Sequence, residues 1–294
     1  MPTTQSRLLL TSALITGLCS LSACTSTASK NEISVQKNQN SAQSYERLNA
    51  ILWMQTASEY YAAASSAYAQ ASTMLDSALA DKSWTAATEQ TTAYQHLPPA
   101  VILDIDETVL DNIPSQAQLL KDNEPFDEKG NWKEWTELAQ AEPIPGAAEF
   151  LALAEQKGIT IFYVTNRDAN QEQVTRNNLL LKKLPLRDDI DTVLMKNENG
   201  WSSDKTARRS YVSKNFRIVA LVGDDFGDFV SGVKVTPAQR LELAKQYSAN
   251  WGKKWFLIPN PVYGSWESAL HNHDYSTPAN QVTTLKMEQL KTIK

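Results

Sequence analysis

Short apolar runs alternate with amphipathic stretches along most of the chain. The apolar runs lie at 100–103, 159–164, 192–195, 217–222 and 255–258. Stretches with helical periodicity separate them, at 146–157, 169–183, 204–214 and 237–249. Strands that alternate with helices are typical of βαβ units and a mostly parallel sheet. The sequence therefore predicts an α/β fold in which helices flank a parallel sheet.

The region before the first apolar run has the pattern of helices. Residues 18–97 contain neither glycine nor proline, and residues 43–81 are rich in alanine, with leucine and isoleucine among polar positions. This spacing predicts one or two long amphipathic helices, within a helical N-terminal segment at 43–96. We expect three tyrosines to pack this segment against the body of the protein: Tyr60, Tyr61 and Tyr68.

A long stretch interrupts the alternation after the first strand. Residues 112–145 separate that strand from the next helix, and they are too many for a simple connection. They also contain Trp132 and Trp135. The stretch predicts a small cap inserted into a core at 97–270, which is followed by a C-terminal tail at 271–294.

The first residues are typical of an exported bacterial protein. One arginine precedes an apolar run that ends at Ala23, too short for a good membrane span but suited to an export signal. The run leads into Leu-Ser-Ala-Cys, which resembles a bacterial lipobox, so we expect removal of residues 1–23 and acylation of Cys24. Thr25, in place of an aspartate, favours the outer membrane, and residues 24–42 have the composition of a flexible tether. The alternative is an ordinary signal peptide in which the cysteine is incidental.

The composition excludes several kinds of site. The 294 residues carry a net charge of −5, which argues against binding to a nucleic-acid polymer. Both cysteines, Cys19 and Cys24, lie near the start, so the folded body offers no thiol nucleophile and no cysteine metal site. With only three histidines in the chain, neither a histidine phosphatase nor a three-histidine zinc site is expected. The chemistry is expected to come from carboxylates, hydroxyls and lysines.

Acidic residues follow two of the predicted strands. Two aspartates come directly after the first strand and three after the fourth: Asp104, Asp106, Asp224, Asp225 and Asp228. Because a parallel sheet brings the carboxyl ends of its strands to one edge, we expect these carboxylates to converge. Oxygen ligands without histidine or cysteine favour Mg²⁺ or a similar hard cation. The alternative for any one of these residues is that it caps a following helix.

Four short motifs occur in an order that resembles the haloacid-dehalogenase (HAD) superfamily. They are Asp-Ile-Asp-Glu-Thr from Asp104, Val-Thr-Asn-Arg around Thr165, the lysine at Lys205, and Gly-Asp-Asp-x-x-Asp from Gly223. Together with the lipobox and the helical N-terminus, they resemble the class C acid phosphatases, a group of bacterial outer-membrane lipoproteins. The likeness covers roughly residues 45–270 and implies a HAD-like Rossmannoid core.

The resemblance implies an acid phosphatase that hydrolyses phosphomonoesters with Mg²⁺. Asp104 would be the nucleophile and form an aspartyl-phosphate, because a carboxylate needs no base to attack phosphorus. Asp106 would protonate the leaving alkoxide and then activate water, and its backbone carbonyl would reach the metal. Asp224 would bind Mg²⁺, with Asp228 in the same shell or hydrogen-bonded to it.

The resemblance also implies residues for the phosphoryl group. Thr165 would donate a hydrogen bond to a phosphoryl oxygen with help from Asn166, and Lys205 would hold the nucleophile and the phosphoryl group. The four site aspartates, Mg²⁺ and the lysine leave one negative charge, so a proton on Asp106 would make the site neutral and favour an acidic pH optimum. The family usually has asparagine where this chain has Asp225, and the added charge there would change metal affinity or the pH optimum.

Substrate preference and location are further expectations from the resemblance. Trp132 and Tyr263 match positions where the family places aromatic side chains beside the substrate, and such rings would favour 5′-nucleotides and aryl phosphates. The role implied is removal of phosphate from nucleotides so that the nucleoside can be imported. The protein would contact the outer membrane through the lipid on Cys24, and a homodimer is an option that the sequence leaves open.

Other functions stay open at this point. Another HAD-type phosphohydrolase or a phosphotransferase would use the same motifs. A phosphonatase would also need a lysine in the cap, for which the sequence offers Lys121, Lys129 and Lys133 without singling one out. A catalytically inactive surface lipoprotein is the non-enzymatic alternative, and the presence of Asp104 argues against it.

Overall fold

Residues 46–91 and 93–293 are described by the computed structural model. The predicted signal peptide at 1–23, the acylation of Cys24 and the tether at 24–42 lie outside these residues. Within the described part of the chain, no helix combines the length and the apolar character needed to cross a bilayer.

A parallel five-stranded sheet forms the centre of the fold, which confirms the predicted α/β class. In chain order the strands are β1 (Pro99–Leu103), β2 (Leu110–Asp111), β3 (Glu142–Pro143), β4 (Thr160–Asp168), β5 (Val193–Lys196), β6 (Arg217–Gly223) and β7 (Trp255–Leu257). The large sheet has the order β5-β4-β1-β6-β7, and each of its neighbouring pairs is parallel. The central strand β1 is almost entirely buried, as its run of apolar residues predicts.

Helices connect the strands and cover the sheet. In chain order they are α1 (Leu48–Thr56), α2 (Ser58–Ala80), α3 (Ile113–Asp122), α4 (Asn131–Glu137), α5 (Ala147–Gln156), α6 (Glu172–Leu181), α7 (Thr206–Ser213), α8 (Pro237–Gln246), α9 (Ser265–Ser268) and α10 (Ala279–Glu288). The crossover helices α5 to α8 lie between successive strands, close to the predicted positions. Fully buried side chains such as Phe150 on α5 and Leu179 on α6 join the core.

Strand β4 is longer than the apolar run that predicts it. The run ends at Val164, but the strand continues to Asp168, which pairs with Lys196 of β5 after a shift in register. The extension is polar, yet Thr165 and Arg167 in it are buried. Their polar groups are satisfied by hydrogen bonds described below, which is why polar residues can end a buried strand.

The N-terminal helices pack on the core through small and aromatic residues. Tyr68 of α2 is buried, and its hydroxyl donates a hydrogen bond of 2.6 Å to the carbonyl oxygen of Thr108. Tyr60 is buried as well. The expectation for Tyr61 was wrong: its side chain is 63% exposed, because it faces solvent from the other side of α2.

A buried arginine fixes the end of α2 to the sheet. Arg217, the first residue of β6, donates from Nη1 to the carbonyl oxygens of Ala78, Asp81 and Trp84, at 2.8, 3.1 and 3.1 Å. The last carbonyl groups of a helix have no partner within the helix, so this guanidinium satisfies acceptors that would otherwise need water. The helical N-terminal segment is therefore joined to the sheet by polar bonds as well as by packing.

The predicted cap consists of α3 and α4, framed by the antiparallel pair of β2 and β3. Two polar side chains fix this region to α6 and to the turn before it. Gln171 donates to the hydroxyl of Thr136 on α4 at 2.8 Å. The side-chain amide of Asn178 bonds both the N–H and the carbonyl of Ala141, at 3.1 and 2.9 Å. These contacts hold the cap beside the carboxyl edge of the sheet.

Candidate active site

The two acidic motifs meet at one edge of the sheet, as predicted. Asp104 directly follows β1 and Asp224 directly follows β6, the neighbouring strand. The backbone N–H of Asp104 donates to the carbonyl oxygen of Val222 at 3.1 Å, so strand pairing continues into the site. The apolar strands thus position the carboxylates by ordinary sheet hydrogen bonding.

Three carboxylates form a compact cluster at this edge. Oxygen atoms of Asp104, Asp224 and Asp228 all lie within 4.8 Å of one another. Burial, together with repulsion between the carboxylates, raises the pKa of Asp104 and raises that of Asp224 strongly. The same causes raise the pKa of Asp228 to about 7. A positive charge is needed to keep the whole cluster ionised near neutral pH.

A tight turn after β6 brings Asp228 into the cluster. Phe226–Asp228 forms a 3₁₀ turn, and the N–H of Asp225 donates to Asp228 Oδ2 at 3.0 Å. Gly223 is required beside it, because a Cβ atom at this glycine would lie only 2.3 Å from Asp228 Oδ2. The glycine of the fourth motif therefore makes space for an acidic side chain.

Lys205 is the ammonium group of the cluster. Its Nζ atom donates to Asp104 Oδ1 and, at 2.6 Å, to Asp228 Oδ1. Burial alone would lower the pKa of Lys205, but the two carboxylates raise it above its usual value, so the lysine stays charged. This contact agrees with the predicted position of the lysine beside the nucleophile.

Asp224 is held from two directions by residues outside the predicted set. The Thr108 hydroxyl donates to Asp224 Oδ1 at 3.1 Å, and Asn260 Nδ2 donates to Asp224 Oδ2 at 2.8 Å. Asn260 follows β7 at the same edge of the sheet, a position that could have marked it as a site residue. Its Oδ1 accepts from the N–H of Tyr263 at 3.3 Å, which links this loop to Asp224.

The carboxylate cluster fits a hard divalent cation. It supplies only oxygen donors, it is largely buried, and one lysine cannot balance three ionised aspartates. Asp104 and Asp224 would hold such an ion. Asp228 accepts hydrogen bonds on both oxygens, from Lys205 and from the backbone of Asp225, which favours its role as a hydrogen-bonded neighbour of the metal shell.

Asp106 lies outside that cluster and has its own positive partner. Arg167 Nε donates to Asp106 Oδ1 at 2.9 Å, and Nη2 of the same guanidinium lies 2.8 Å from that oxygen, within ion-pair distance. Asn112 Nδ2 donates to the same oxygen at 2.9 Å. The charge count that led to a proton on Asp106 omitted this arginine and the buried Arg208, so charge balance no longer requires that proton.

The second motif is held in place by an arginine that the sequence did not mark as a site residue. Arg208 donates to the carbonyl oxygen of Thr165 and to Asn166 Oδ1, the latter at 2.7 Å. Burial lowers the pKa of Arg208 to about 10, so it remains a cation at neutral pH. The Thr165 hydroxyl lies 3.4 Å from Asp106 Oδ2, at the predicted edge. Asn166 is exposed beside it.

The aromatic residues predicted to contact substrate have different surroundings. Trp132 is only 8% exposed, and its ring packs against Arg167 and Phe126. Substrate stacking on Trp132 therefore does not fit the structure, because Arg167 of β4 and Phe126 of the cap cover its ring. Tyr263 is half-buried in the loop that Asn260 ties to Asp224, so it stays close to the acidic edge.

Asp225, the departure from the usual asparagine, is directed away from the cluster. Its carboxylate accepts from the Gly227 N–H at 2.8 Å, and from the N–H and hydroxyl of Ser265 at 2.6 and 2.7 Å. A carboxylate accepts on both oxygens, whereas an amide offers one acceptor oxygen only. The acid suits this position because three donors point at it.

The comparison with protein families agrees with the motif resemblance. A family model described as HAD superfamily, subfamily IIIB (acid phosphatase), matches residues 8–266. The chain is similar to a solved class C acid phosphatase from Bacillus anthracis, with a TM-score of 0.76 and 32% identity over 86% of this chain and 99% of that chain. A second structure of that protein, with tungstate bound, gives a TM-score of 0.75 at 31% identity and covers 85% and 99% of the two chains.

More distant relatives occur in plants. Acid phosphatase 1 of Solanum lycopersicum is 26% identical over 168 residues, 55% of this chain and 57% of that protein. The stem 28 kDa glycoprotein of Glycine max is 25% identical over 174 residues, 57% of this chain and 61% of that protein. The chain thus spans less than two thirds of the length of these curated relatives.

Proposed function

Because the chain belongs to the acid phosphatases of HAD subfamily IIIB, we propose that it hydrolyses phosphomonoesters with the help of a divalent cation. The observation that carries this proposal is the largely buried group of three carboxylates, two of which bond Lys205. It provides oxygen ligands for a cation and an aspartate that can act as nucleophile at the same place.

Asp104 is the proposed nucleophile. Lys205 donates to its Oδ1 atom, whereas Oδ2 has no hydrogen-bond partner among the described residues. That oxygen would attack phosphorus and form an aspartyl-phosphate. A bound Mg²⁺ would supply positive charge for the phosphoryl oxygens and for the carboxylates around it. The Thr165 hydroxyl and Asn166 would contribute hydrogen bonds to the phosphoryl group.

Asp106 is the proposed acid and base. It would protonate the leaving oxygen, and its carboxylate would then take a proton from the water that hydrolyses the aspartyl-phosphate. Arg167 and Asn112 fix the orientation of this side chain through one oxygen.

The tungstate in the Bacillus anthracis structure supports an oxyanion site in this family, since tungstate is a tetrahedral oxyanion like phosphate.

We propose 5′-nucleotides and aryl phosphates as the preferred substrates. Half-buried Tyr263 lies in the loop bonded to Asp224, where its ring can stack on a base or an aryl group. Tyr263→Ala is expected to raise the KM for a nucleotide by about tenfold, since stacking contributes about 1–3 kcal/mol per base. The KM for an alkyl phosphate should change much less. An unchanged nucleotide KM would exclude stacking on this ring.

Two alternatives are less well supported. A phosphonatase needs a lysine in the cap that can reach substrate, but Lys121, Lys129 and Lys133 are all exposed to solvent. Lys133 also pairs with Glu137 at 3.5 Å. A phosphotransferase would use the same site and differs only in the acceptor, so adding an alcohol during turnover distinguishes it from a hydrolase.

The direct test is hydrolysis of p-nitrophenyl phosphate before and after treatment with EDTA. Activity should disappear on chelation and return with Mg²⁺, and Mg²⁺ should raise the unfolding temperature of the chelated protein. Acid quenching during turnover of a ³²P-labelled ester should leave label on the protein that hydroxylamine removes, as expected for an acyl phosphate. Absence of turnover with every ester tried would support the inactive lipoprotein instead.

We also propose that the mature protein is an outer-membrane lipoprotein anchored through Cys24, which rests on the lipobox alone. Labelled palmitate should be incorporated by cells that produce the full chain, and Cys24→Ala should abolish incorporation and release the protein from membranes. Incorporation that survives this substitution would contradict the anchor. Gel filtration of the soluble part would decide between a monomer and the homodimer.

A further inference from the structure

A chain of hydrogen bonds runs from the cap to Asp106. Trp135 Nε1 donates to Asn112 Oδ1 at 2.8 Å, and Asn112 Nδ2 donates to Asp106 Oδ1 at 2.9 Å. Asn112 is fully buried, so its amide has no water to bond with. An indole N–H can only donate, and it therefore fixes the oxygen of the amide toward the cap. The NH₂ group of the same amide is thereby directed at the carboxylate.

The other cap tryptophan supports a second group that bonds the same oxygen. The Arg167 guanidinium lies 5.5 Å from the centre of the Trp132 ring and also donates to Thr175 Oγ1 at 3.2 Å. Its Nε donates to Asp106 Oδ1, and its Nη2 lies 2.8 Å from the same oxygen and donates to Asn112 Oδ1 at 3.4 Å. Two donors, Arg167 Nε and Asn112 Nδ2, thus converge on Oδ1. For Oδ2, the partner among the described residues is the Thr165 hydroxyl, at 3.4 Å.

We propose that Trp135 is a positioning residue for proton transfer, holding Asp106 through Asn112 so that Oδ2 faces the leaving oxygen of the substrate. This inference rests on the proposed phosphatase function. In the step concerned, Asp104 forms a bond to phosphorus while the bond from phosphorus to the leaving oxygen breaks. The electron pair goes to that oxygen, and the proton moves to it from Asp106 Oδ2. The two donors on Oδ1 and the positive charge of Arg167 stabilise the carboxylate that remains.

Removing the indole N–H should release the orientation of the amide. In Trp135→Phe an aromatic ring is kept, but the Asn112 oxygen loses its 2.8 Å bond and keeps only the longer one, 3.4 Å, from Arg167 Nη2. The amide is then held less firmly and can turn its oxygen toward Asp106, where two acceptors would repel each other. A misdirected Asp106 matters most for esters whose leaving group needs a proton. p-Nitrophenolate leaves readily without one, whereas an alkoxide does not.

The test is kcat/KM for a series of esters: p-nitrophenyl phosphate, phenyl phosphate and methyl phosphate. Trp135→Phe is expected to lose about tenfold more on methyl phosphate than on p-nitrophenyl phosphate, a part of the 10²–10⁴ that general acid catalysis provides. Asp106→Asn should lose all of the general acid catalysis, so its kcat/KM should depend most steeply on the basicity of the leaving group. Arg167→Lys keeps the charge but cannot bond Asp106, Asn112 and Thr175 together as the guanidinium does, and it provides a second variant if Trp135→Phe fails to fold.

The matched control is Trp251→Phe. Trp251 lies outside the cap and donates from its indole N–H to the carbonyl oxygen of Ala244 at 3.0 Å, so the same group is removed elsewhere. Any loss in this control should be equal for all three esters. An equal loss across the series in both Trp135→Phe and Arg167→Lys would overturn the inference and leave the phosphatase intact. A wild-type protein that hydrolyses none of the esters would refute the proposed function itself.

Discussion

Asp104 and Asp106 are two residues apart in the chain but have opposite electrostatic surroundings. Around Asp104, three carboxylates lie close together, one lysine bonds two of them, and burial raises the pKa of each of the three. Around Asp106, a guanidinium and an amide converge on one oxygen. The first group needs an added cation before all its members can ionise together, whereas Asp106 has its counter-charge within the protein. One loop therefore carries one carboxylate in a group that an added cation would balance and one carboxylate that has an arginine of the protein beside it.

Replacing the nucleophile should give the largest effect. Asp104→Asn is expected to lower kcat for every ester by about 10⁴-fold or more, as for the loss of other catalytic nucleophiles, because an amide oxygen does not attack phosphorus in this way. Asp106→Asn should lose most on esters with basic leaving groups. Asp189→Asn, an exposed control on the surface, should stay near wild type. If Asp104→Asn and Asp106→Asn lowered kcat by the same factor for every ester, the two aspartates would not have different roles.

Weakening the support of the cluster should reduce metal binding. Asn260→Ala removes the 2.8 Å hydrogen bond to Asp224, and Mg²⁺ affinity measured by calorimetry is expected to fall about 10–100-fold, as for other residues that orient metal ligands. Asn177→Ala, on the exposed face of α6, is the control and should bind Mg²⁺ normally. Wild-type affinity in Asn260→Ala would show that Asp224 does not need this support.

The metal-free protein should become less stable as pH rises. The pKa of Asp228 is raised from its usual value to about 7 by burial and by its neighbours, so its protonated form favours the folded state. This contribution to stability is fully present below the pKa that Asp228 has in the unfolded chain. It is lost as the pH rises through the pKa of Asp228 in the folded protein, roughly between pH 4 and 7. The unfolding temperature measured with EDTA should therefore fall across this pH range. Added Mg²⁺ should raise the unfolding temperature more at high pH than at low pH. An unfolding temperature that rises with pH would contradict the idea that the cluster lacks enough positive charge.

The smallest effect is expected outside the cluster, at Asp225. Asp225→Asn should cost about 1–2 kcal/mol of unfolding free energy in urea, because one of three donors loses its acceptor. Mg²⁺ affinity should stay within about twofold of wild type, since only removal of a metal-orienting residue costs 10-fold or more. A large loss of metal affinity would place this side chain among the metal-supporting residues after all.

The strands and the acidic motifs could be predicted because each depends on a local pattern. An apolar run that ends in aspartates indicates both a buried strand and the edge at which it ends. Arg167 belongs to the second motif, but its role and that of Arg208 could not be predicted in this way, because their partners lie 61 and 42 residues away. A buried arginine cannot be distinguished from a solvated one in the sequence, and only the structure shows which groups it bonds.

The aromatic residues show a similar limit. The resemblance indicated that Trp132 lies near the site, but it did not indicate which face of the ring is free. The structure covers that ring with Arg167 and Phe126 and connects Trp135 to Asn112. That Trp132 lies near the site could be predicted. Whether an aromatic ring contacts the substrate or supports another site residue depends on how the side chains around it pack.

The bonds from Arg217 to the end of α2 have a consequence for how the protein folds. They join residues that are up to 139 positions apart, so the N-terminal helices cannot reach their final place until β6 has been synthesised. Contacts over such distances slow folding, because a long loop must close before they form. During synthesis the first helices would therefore emerge early, and their apolar face would stay uncovered until β6 follows, so this stage is the one most dependent on chaperones.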